Sequence, residues 1–238
     1  MKSTAWVGTA LLLLGCVAVR ASTWQVSYEG NELPEQQPPW YRVYNPPGDT
    51  RTIQADPNNP GNHWLVIDSR ADPMVDDWAE YDRPINLQGP QERFWSEWRI
   101  YVFQQTGLHG DQGIDIKSDN GHSVTMTFGY DSLYCTDDYW TYPIAPGVFH
   151  TYRIESADLV TYRFWIDGAF VRTAPFFNGV PDPHASFGDI GAGGNMRSLC
   201  EWDYFRFGVM QIPEPSPALS VLIGTWACGC RRGLRGVE

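Results

Sequence analysis

The pair Asp167 and Gly168 constrains the fold more than any other feature, because it separates two β-rich runs at residues 162–166 and 169–171. Both central residues of a type I′ turn need positive φ, and Asp-Gly is a preferred pair for that geometry. A two-residue turn of this type joins neighbouring antiparallel strands. The chain is therefore expected to contain an antiparallel sheet around residue 167.

Residues 94–103 show the period of a half-buried strand. The set formed by Phe94, Trp98, Ile100 and Val102 is the more apolar, and the residues between them are wetter. Successive side chains of a strand point to opposite faces of the sheet. One face of this strand is therefore expected to pack inward.

Further strand candidates follow the same rhythm, and no stretch of useful length has the helical period. Clusters of Gly, Pro, Asn and Asp separate them, for example at residues 56–61 and 181–183. About ten short strands predict an all-β fold, a two-sheet antiparallel jelly-roll sandwich. The other candidates are residues 40–44, 63–68, 113–116, 123–128, 149–155 and 200–209.

The N-terminus has the layout of a secretory signal peptide. Lys2 gives the charged start, residues 6–19 form an apolar run, and residues 19–21 offer a small-residue cleavage site. The run is too short to favour a membrane span. An alternative is a lipobox at residues 13–16, which would leave Cys16 as a lipidated N-terminus.

The C-terminus carries a second apolar segment, which prolines separate from the upstream strands because proline cannot continue a regular element. We expect a short apolar helix that enters the membrane, with arginines held on the cytoplasmic side. The alternative is a buried C-terminal helix of the folded domain. The tail contains, in order, Pro213, Glu214, Pro215, an uncharged stretch at 216–230, Arg231 and Arg232.

The Pro-Glu-Pro triplet, the apolar stretch and the arginine cluster resemble a PEP-CTERM sorting signal. The resemblance implies a bacterial envelope protein whose tail is recognised by an exosortase-type enzyme, usually in organisms that make exopolysaccharide. With the signal peptide, it implies export to the cell envelope or the extracellular space. It divides the chain into a signal peptide at 1–21, one domain at 22–211 and a sorting tail with a transmembrane segment at 212–238.

Three segments resemble the last third of concanavalin A-like lectin/glucanase domains, the laminin-G-type jelly roll. They are residues 149–154, the hairpin at 162–168 and the strand at 200–207. The resemblance implies a jelly roll across residues 22–209. The family holds glycan-binding modules, glycosidases, lyases and structural domains, so the fold leaves the function open.

The charge of the central domain argues against nucleic acid as a partner. Residues 22–212 lack five of the 17 Lys and Arg residues and two of the 28 Asp and Glu residues, which leaves 12 basic and 26 acidic side chains. Nucleic-acid binding needs a basic footprint that releases phosphate counterions. An acidic domain instead favours divalent cations and neutral ligands.

Glu201 and Asp203 have the two-residue spacing that places carboxylates on one face of a strand, as a retaining glycosidase needs. The glucanase branch of the resembled family carries a Glu-x-Asp-x-x-Glu strand, and this string is absent from the sequence. No catalytic pair is therefore predicted. The resemblance implies a structural calcium ion near the final strand, with Asp203 as a ligand and Asp189 as a helper.

Sugar recognition uses aromatic rings that stack on sugar faces and planar polar groups that fix the orientation of the ligand. Such residues occur in the wetter set of the strand at 94–103 and in the loop after Cys135. The competing interpretation is that these aromatic residues fill the core of a β-sandwich. The predicted glycan-binding residues are Trp95, Glu97, Arg99, Tyr101 and Trp140.

Cys135 and Cys200 are the cysteines of the central domain, and a pair exported to an oxidising compartment is expected to form a disulfide. Closing the loop between them would contribute roughly 4 kcal/mol in the chain-entropy account. The alternative is two buried thiols, because the sequence does not show whether the Cα atoms approach each other.

Together these features predict an exported envelope or matrix protein whose jelly roll binds extracellular polysaccharide without catalysis. A hydrolase or lyase on the same fold is one alternative, and a structural or adhesive surface protein without a small ligand is another. An exposed aromatic row on one sheet favours the binding protein. Two carboxylates that face each other across a groove favour the enzyme.

Overall fold

A computed structural model describes residues 26–38, 40–42, 48–71, 79–84, 92–106, 110–118, 120–190 and 197–211. The expected signal peptide, with Cys16, and the expected sorting tail lie outside the described residues. Within the described ranges, no helix has the length and apolar character needed to cross a membrane.

The described residues form sixteen β-strands and one 3-10 turn at Pro34–Gln36, and this part of the chain contains no α-helix. The first eight strands are β1 Val26–Tyr28, β2 Tyr41–Arg42, β3 Thr50–Asp56, β4 Asn59–Asp68, β5 Ala79–Pro84, β6 Glu92–Thr106, β7 Gln112–Lys117 and β8 His122–Phe128. The other eight are β9 Ser132–Cys135, β10 Trp140–Pro143, β11 His150–Ser156, β12 Thr161–Ile166, β13 Ala169–Pro175, β14 Phe177–Asn178, β15 His184–Asp189 and β16 Arg197–Gln211.

These strands form two sheets of eight strands each. Sheet A has the order β13-β12-β11-β6-β16-β4-β3, and β1 pairs with β16. Sheet B has the order β10-β9-β8-β7-β15-β5-β2, and β14 pairs with β8. Neighbouring strands in both sheets are antiparallel. For the described residues, the expected all-β sandwich of two antiparallel sheets is confirmed.

The hairpin between β12 and β13 has the turn that the sequence predicts. Asp167 has φ 50° and Gly168 has φ 77°, so both central residues are left-handed as a type I′ turn requires. The Asp167 side chain also accepts a hydrogen bond from the Thr151 backbone N–H at 2.8 Å, and it lies 2.6 Å from Nδ1 of His150. The turn is therefore tied to β11, the next strand of sheet A.

The core lies between the two sheets and is rich in aromatic rings. In β6 the apolar set predicted from the alternation is buried, with Phe94 and Trp98 at 0 % exposure. Trp202 of sheet A packs on Phe187 of sheet B with ring centroids 5.0 Å apart. Because the inward set of β6 fills the core, its other residues point to the opposite side of sheet A.

Candidate functional site

Four neighbouring strands of sheet A carry polar side chains on the side away from the core. The register aligns Arg206 of β16 with Glu97 of β6, Glu97 with Arg153 of β11, and Arg153 with Trp165 of β12. We name the surface formed by these four residues and their same-side neighbours the outer face of sheet A. Its side chains form rows across the strands, because directly paired residues share a face.

Arg153 connects two carboxylates on this face. Its Nη1 lies 3.3 Å from Oε2 of Glu97, and its Nη2 donates to Oε1 of Glu155 at 2.5 Å. All three side chains are partly exposed, between 18 % and 38 %. Charged groups fixed by ion pairs in this way present both donors and acceptors to a ligand without further ordering.

On the β16 side of Glu97, a second cationic group is held in place. Arg206 forms a two-pronged contact with Glu29, with Nε–Oε1 and Nη2–Oε2 distances of 2.8 and 2.5 Å. The Tyr204 hydroxyl donates to Oε1 of Glu97 at 3.1 Å. Burial and the negative charge of Glu97 raise the pKa of Tyr204 to about 12, so its phenol stays protonated at neutral pH. Glu97 therefore sits between Arg153 and the Tyr204 hydroxyl.

A surface pocket of about 350 Å³ opens on this face. The Trp165 ring forms one side of it, flanked by Phe170 at 5.9 Å between centroids and by the Arg163 guanidinium at 4.9 Å. The tip of the β12–β13 hairpin forms its end at Gly168. The pocket is lined by Glu97, Thr151, Arg153, Glu155, Trp165 and Gly168.

Arg99 continues the face along β6. Its guanidinium lies 4.5 Å from the centroid of Phe149, a cation–π contact, and its Nη1 makes a short ion pair with Oδ2 of Asp203. Tyr101 follows on the same side, with its ring 5.6 Å from that of Phe149. Glu97, Arg99 and Tyr101 therefore lie on the outer face of sheet A, in the row in which the sequence places them.

Both carboxylate oxygens of Asp203, the predicted calcium ligand, have protein partners in this structure. Its Oδ1 accepts a hydrogen bond from Nδ2 of Asn62 at 3.1 Å, and its Oδ2 faces Arg99. Asp189 is 3 % exposed on β15 of sheet B, whereas Asp203 lies on β16 of sheet A. Among the described residues, no three His, Cys, Asp or Glu side chains converge as a metal site.

Among the described carboxylates of this face, Glu201 is the one whose proton affinity is strongly shifted. It is 9 % exposed. Burial, with a smaller contribution from the negative charge of Asp56, raises its pKa to about 7, and the Trp64 indole opposes the shift. Glu201 is paired with Tyr101 in the register, so its side chain lies on the outer face. A β-bulge between Trp202 and Tyr204 shifts the register of β16. Glu201 and Tyr204 therefore both lie on the outer face, although they are three positions apart.

Trp95 lies on the predicted side of β6, but its ring is buried and not exposed. Its side chain is 2 % exposed. Gly208 is its direct partner on β16, and a Cβ at Gly208 would lie 2.6 Å from the indole ring. Because Gly208 has no side chain, the indole of Trp95 fills the space beside it. The Arg153 guanidinium covers the other side of the indole, 5.3 Å from the ring centroid. The Trp95 ring therefore supports the Arg153 guanidinium from below.

Trp140 is separated from the other four residues of the predicted glycan-binding row. It lies on β10, the edge strand of sheet B, whereas the other four lie on β6 of sheet A. Its ring packs against Phe164 at 6.2 Å, and the Arg172 guanidinium covers it at 3.8 Å. Trp140 thus closes one side of the core.

The expected disulfide is not formed, because Cys135 and Cys200 are both free, buried thiols. Sγ of Cys135 lies 3.7 Å from the hydroxyl of Tyr162 on β12. Cys200 lies on β16, three strands from β12 in sheet A, a separation of about 14 Å at the usual strand spacing. A disulfide needs Cα atoms within about 7 Å.

Several residues of the outer face were not among the predicted site residues. Thr151, Arg153 and Glu155 alternate with the buried residues of β11, so their exposure could have been predicted from the alternation. The sequence does not reveal that β11 is the neighbour of β6. The sequence also does not reveal that β12 and β16 bring Trp165, Tyr204 and Arg206 to the same face.

Comparison with known proteins gives structural matches only. No family model matches the chain, and no curated protein matches it at the sequence level. The solved structure of the cellulose induced protein Cip1 is similar, with TM-score 0.54, 11% identity, and coverage of 79% of this chain and 98% of Cip1. An endo-β-1,4-glucuronan lyase from the fungus Trichoderma reesei gives TM-score 0.51, 12% identity, and coverage of 80% and 96%. A peanut lectin gives TM-score 0.49 and 11% identity, with coverage of 79% and 99%.

At 11–12% identity, these matches bear on the fold and leave the activity open. The two matches cover about four fifths of this chain and almost the whole of each matched chain. The described part of the chain therefore has the concanavalin A-like lectin/glucanase fold, a two-sheet jelly roll.

Proposed function

We propose that the outer face of sheet A binds a polysaccharide chain and that the protein catalyses no reaction on it. The observation that carries this proposal is the pocket beside Arg153. Two carboxylates, a guanidinium and the Trp165 ring border the same space of about 350 Å³. Sugars offer hydroxyl groups that both donate and accept hydrogen bonds, and they offer apolar ring faces that stack on aromatic rings.

The positions of the charged groups favour binding over hydrolysis. In a glycoside hydrolase, two carboxyl groups flank the scissile bond with free space between them. Here the Arg153 guanidinium occupies the space between Glu97 and Glu155 and contacts both. The arrangement suits a ligand held by several hydrogen bonds at once.

Binding to a glycan array by the full-length protein tests the proposal. The Trp165→Ala variant is expected to lose affinity at least tenfold, since truncation of an aromatic anchor costs about 2 kcal/mol or more. Trp140→Ala is the matched control, because both tryptophans are partly buried and covered by an arginine. The control should bind as the wild type does.

Two results would refute the proposal. One is the absence of binding to any glycan, which favours the structural or adhesive surface protein. The other is an equal loss in the two variants, which would mean that binding does not depend on the outer face of sheet A.

A second candidate function is a hydrolase or lyase on the same fold, and Glu201 is the observation that favours it. A carboxyl group with a pKa of about 7 suits proton transfer near neutral pH, and it lies on the same face as the pocket. Incubation of the bound glycan with the protein and measurement of new chain ends tests this candidate. Cleavage that Glu201→Gln abolishes would support the enzyme over the binding protein.

We also propose that the protein is exported and that its tail sorts it at the envelope, with an exosortase-type enzyme and the membrane as partners. The support is the order of charged, apolar and small residues at 1–21 and of the Pro-Glu-Pro, apolar and arginine segments at 212–238. Mass spectrometry of the protein from its own cells should find a mature N-terminus at Ser22. Recovery of the intact chain from the cell interior would contradict export.

A further inference from the structure

A second pocket, of about 310 Å³, opens where β4 and β6 end and β16 begins. Arg197 is paired with Thr106 in the register, and it alternates with Ser198, which is 0 % exposed and points into the core. Arg197 therefore lies on the outer face of sheet A, the side that also carries the proposed glycan site. The pocket is lined by Arg70, Gln104, Thr106 and Arg197.

The two arginines of this pocket differ in their partners. The Arg70 guanidinium donates to both carboxylate oxygens of Asp68 at 2.8 Å, and its Nη1 donates to Oε1 of Gln104 at 2.9 Å. For Arg197, no carboxylate lies within ion-pair distance in the part of the chain that the structure describes. Its Nε is buried and has no acceptor there. Among the described residues, the pocket is therefore lined by two guanidinium groups, and one carboxylate, that of Asp68, neutralises the Arg70 group from outside the lining.

This excess of positive charge is unusual for a domain with 26 acidic and 12 basic side chains. Most of the other described arginines form ion pairs, as Arg42 does with Glu35 at 3.0 Å. A buried N–H group without an acceptor is destabilising, and an oxyanion that accepts its hydrogen bond removes that cost. A guanidinium group also matches the geometry of a carboxylate or sulfate, which it can contact through two parallel hydrogen bonds.

We propose that this pocket, which we name the Arg197 pocket, binds the carboxylate or sulfate group of an acidic sugar residue. The inference rests on the proposed function, because the acidic residue would belong to the chain that occupies the pocket beside Arg153. Thr106 and Glu97 lie nine positions apart on β6, roughly 25–30 Å at the rise of a strand. An extended polymer bridges such a distance along the outer face of sheet A, with its neutral residues near Trp165 and an anionic residue at Arg197.

The test compares glycans that share a backbone but differ in charge. Each backbone on the array is presented to the full-length protein in its neutral, uronic-acid and sulfated forms. Arg197→Gln is expected to lower affinity for an acidic form about tenfold, the usual effect of one lost charge-assisted hydrogen bond, and to leave the neutral form within twofold. Arg42→Gln is the control, because it removes the same charge from sheet B. It should change neither affinity by more than twofold.

The uronic-acid and sulfated arms distinguish the two sources of the oxyanion. Equal losses in Arg197→Gln and Arg42→Gln would overturn the proposal, since they would mean that only the overall charge matters. Wild-type binding that is no tighter for acidic than for neutral forms would overturn it as well.

A titration with inorganic sulfate at constant ionic strength distinguishes failure of the proposed glycan binding from failure of the Arg197 pocket. If no glycan binds, a saturable shift of the Arg197 Nε–H resonance in NMR spectra, absent in Arg197→Gln, would still support an anion pocket. It would remove only the polysaccharide from the proposal. A shift that does not saturate would overturn the pocket too.

Discussion

Among single residues, Glu201 links the chemistry of the outer face to stability. Its pKa is about 7 in the folded chain against an ordinary 4.5, chiefly because of burial. The folded state therefore holds this proton more tightly than the unfolded state, and unfolding releases it between about pH 4.5 and 7. The free energy of unfolding is expected to fall as pH rises through this window.

Glu201→Gln should flatten that dependence and stabilise the protein at pH 8 by about 1 kcal/mol, after allowance for solvent screening. Urea unfolding from pH 4 to pH 8 measures the effect. Glu32→Gln, at an exposed carboxylate, is the control and should keep the wild-type slope. An unchanged slope in Glu201→Gln would show that Glu201 titrates normally.

Gly208 has no side chain, and this leaves room for the Trp95 ring against β16. A Cβ at this position would meet the Trp95 ring at 2.6 Å, so Gly208→Ala should push the indole away from β16 and destabilise the protein by about 1–3 kcal/mol. Gly61→Ala is the control, because its Cβ would meet only Asn59 Oδ1 at 3.7 Å. Thermal unfolding and the indole resonance of Trp95 report the two effects. Equal stability of both variants would contradict the close packing of Trp95 on Gly208.

Among the elements, the β12–β13 hairpin carries Trp165 and Gly168 to the pocket. Asp167→Ala removes the acceptor of the Thr151 N–H and the partner of His150, and it should cost about 1–3 kcal/mol and weaken glycan binding. Asp167→Asn keeps an oxygen acceptor and tolerates the positive φ, so it should recover most of the loss. Denaturant unfolding and the array measure both variants. Failure of Asp167→Asn to recover more than Asp167→Ala would show that the side chain does not anchor the turn.

Strands with one wet face show a period of two in the sequence, and strands without one do not. At residues 96–103 of β6, and in β11 and β12, buried residues alternate with residues that are at least partly exposed. β15 is buried at all six of its positions, so the sequence shows no period of two. β3 lies at the edge of sheet A and has no buried residue, so it lacks an apolar set.

The candidate site is formed by residues of several strands, and the order of the strands in the sheet cannot be inferred from the alternation within each strand. Only part of the site could therefore be predicted. The sequence places Glu97, Arg99 and Tyr101 on one face, because that inference needs only the alternation within β6. It does not place Arg206 beside Glu97, because that contact joins residues 109 positions apart through the pairing of β16 with β6. The burial of Trp95 depends on the same pairing, through Gly208.

At the scale of the whole molecule, Trp202 joins the two sheets through both a hydrogen bond and a ring contact. Its indole N–H donates to Oε1 of Gln112 in sheet B at 3.2 Å, and its ring packs on Phe187 of the same sheet. Trp202→Ala should destabilise the protein by about 3–5 kcal/mol, since it leaves a cavity and an unpaired amide. Tyr139→Ala, at a ring that is 80 % exposed, should change stability by less than about 0.5 kcal/mol. Similar melting temperatures for the two variants would contradict this account of the core.

The central claim is that the outer face of sheet A, and not the other sheet, is where the protein meets a polysaccharide. NMR spectra of the isotopically labelled protein, recorded while the tightest-binding glycan of the array is added, test it most directly. We expect the largest shifts at Trp165, Arg153 and Thr151, with little change at Thr125 and Tyr134 of sheet B. Shifts confined to sheet B, with the resonances around Arg153 unchanged, would contradict the claim.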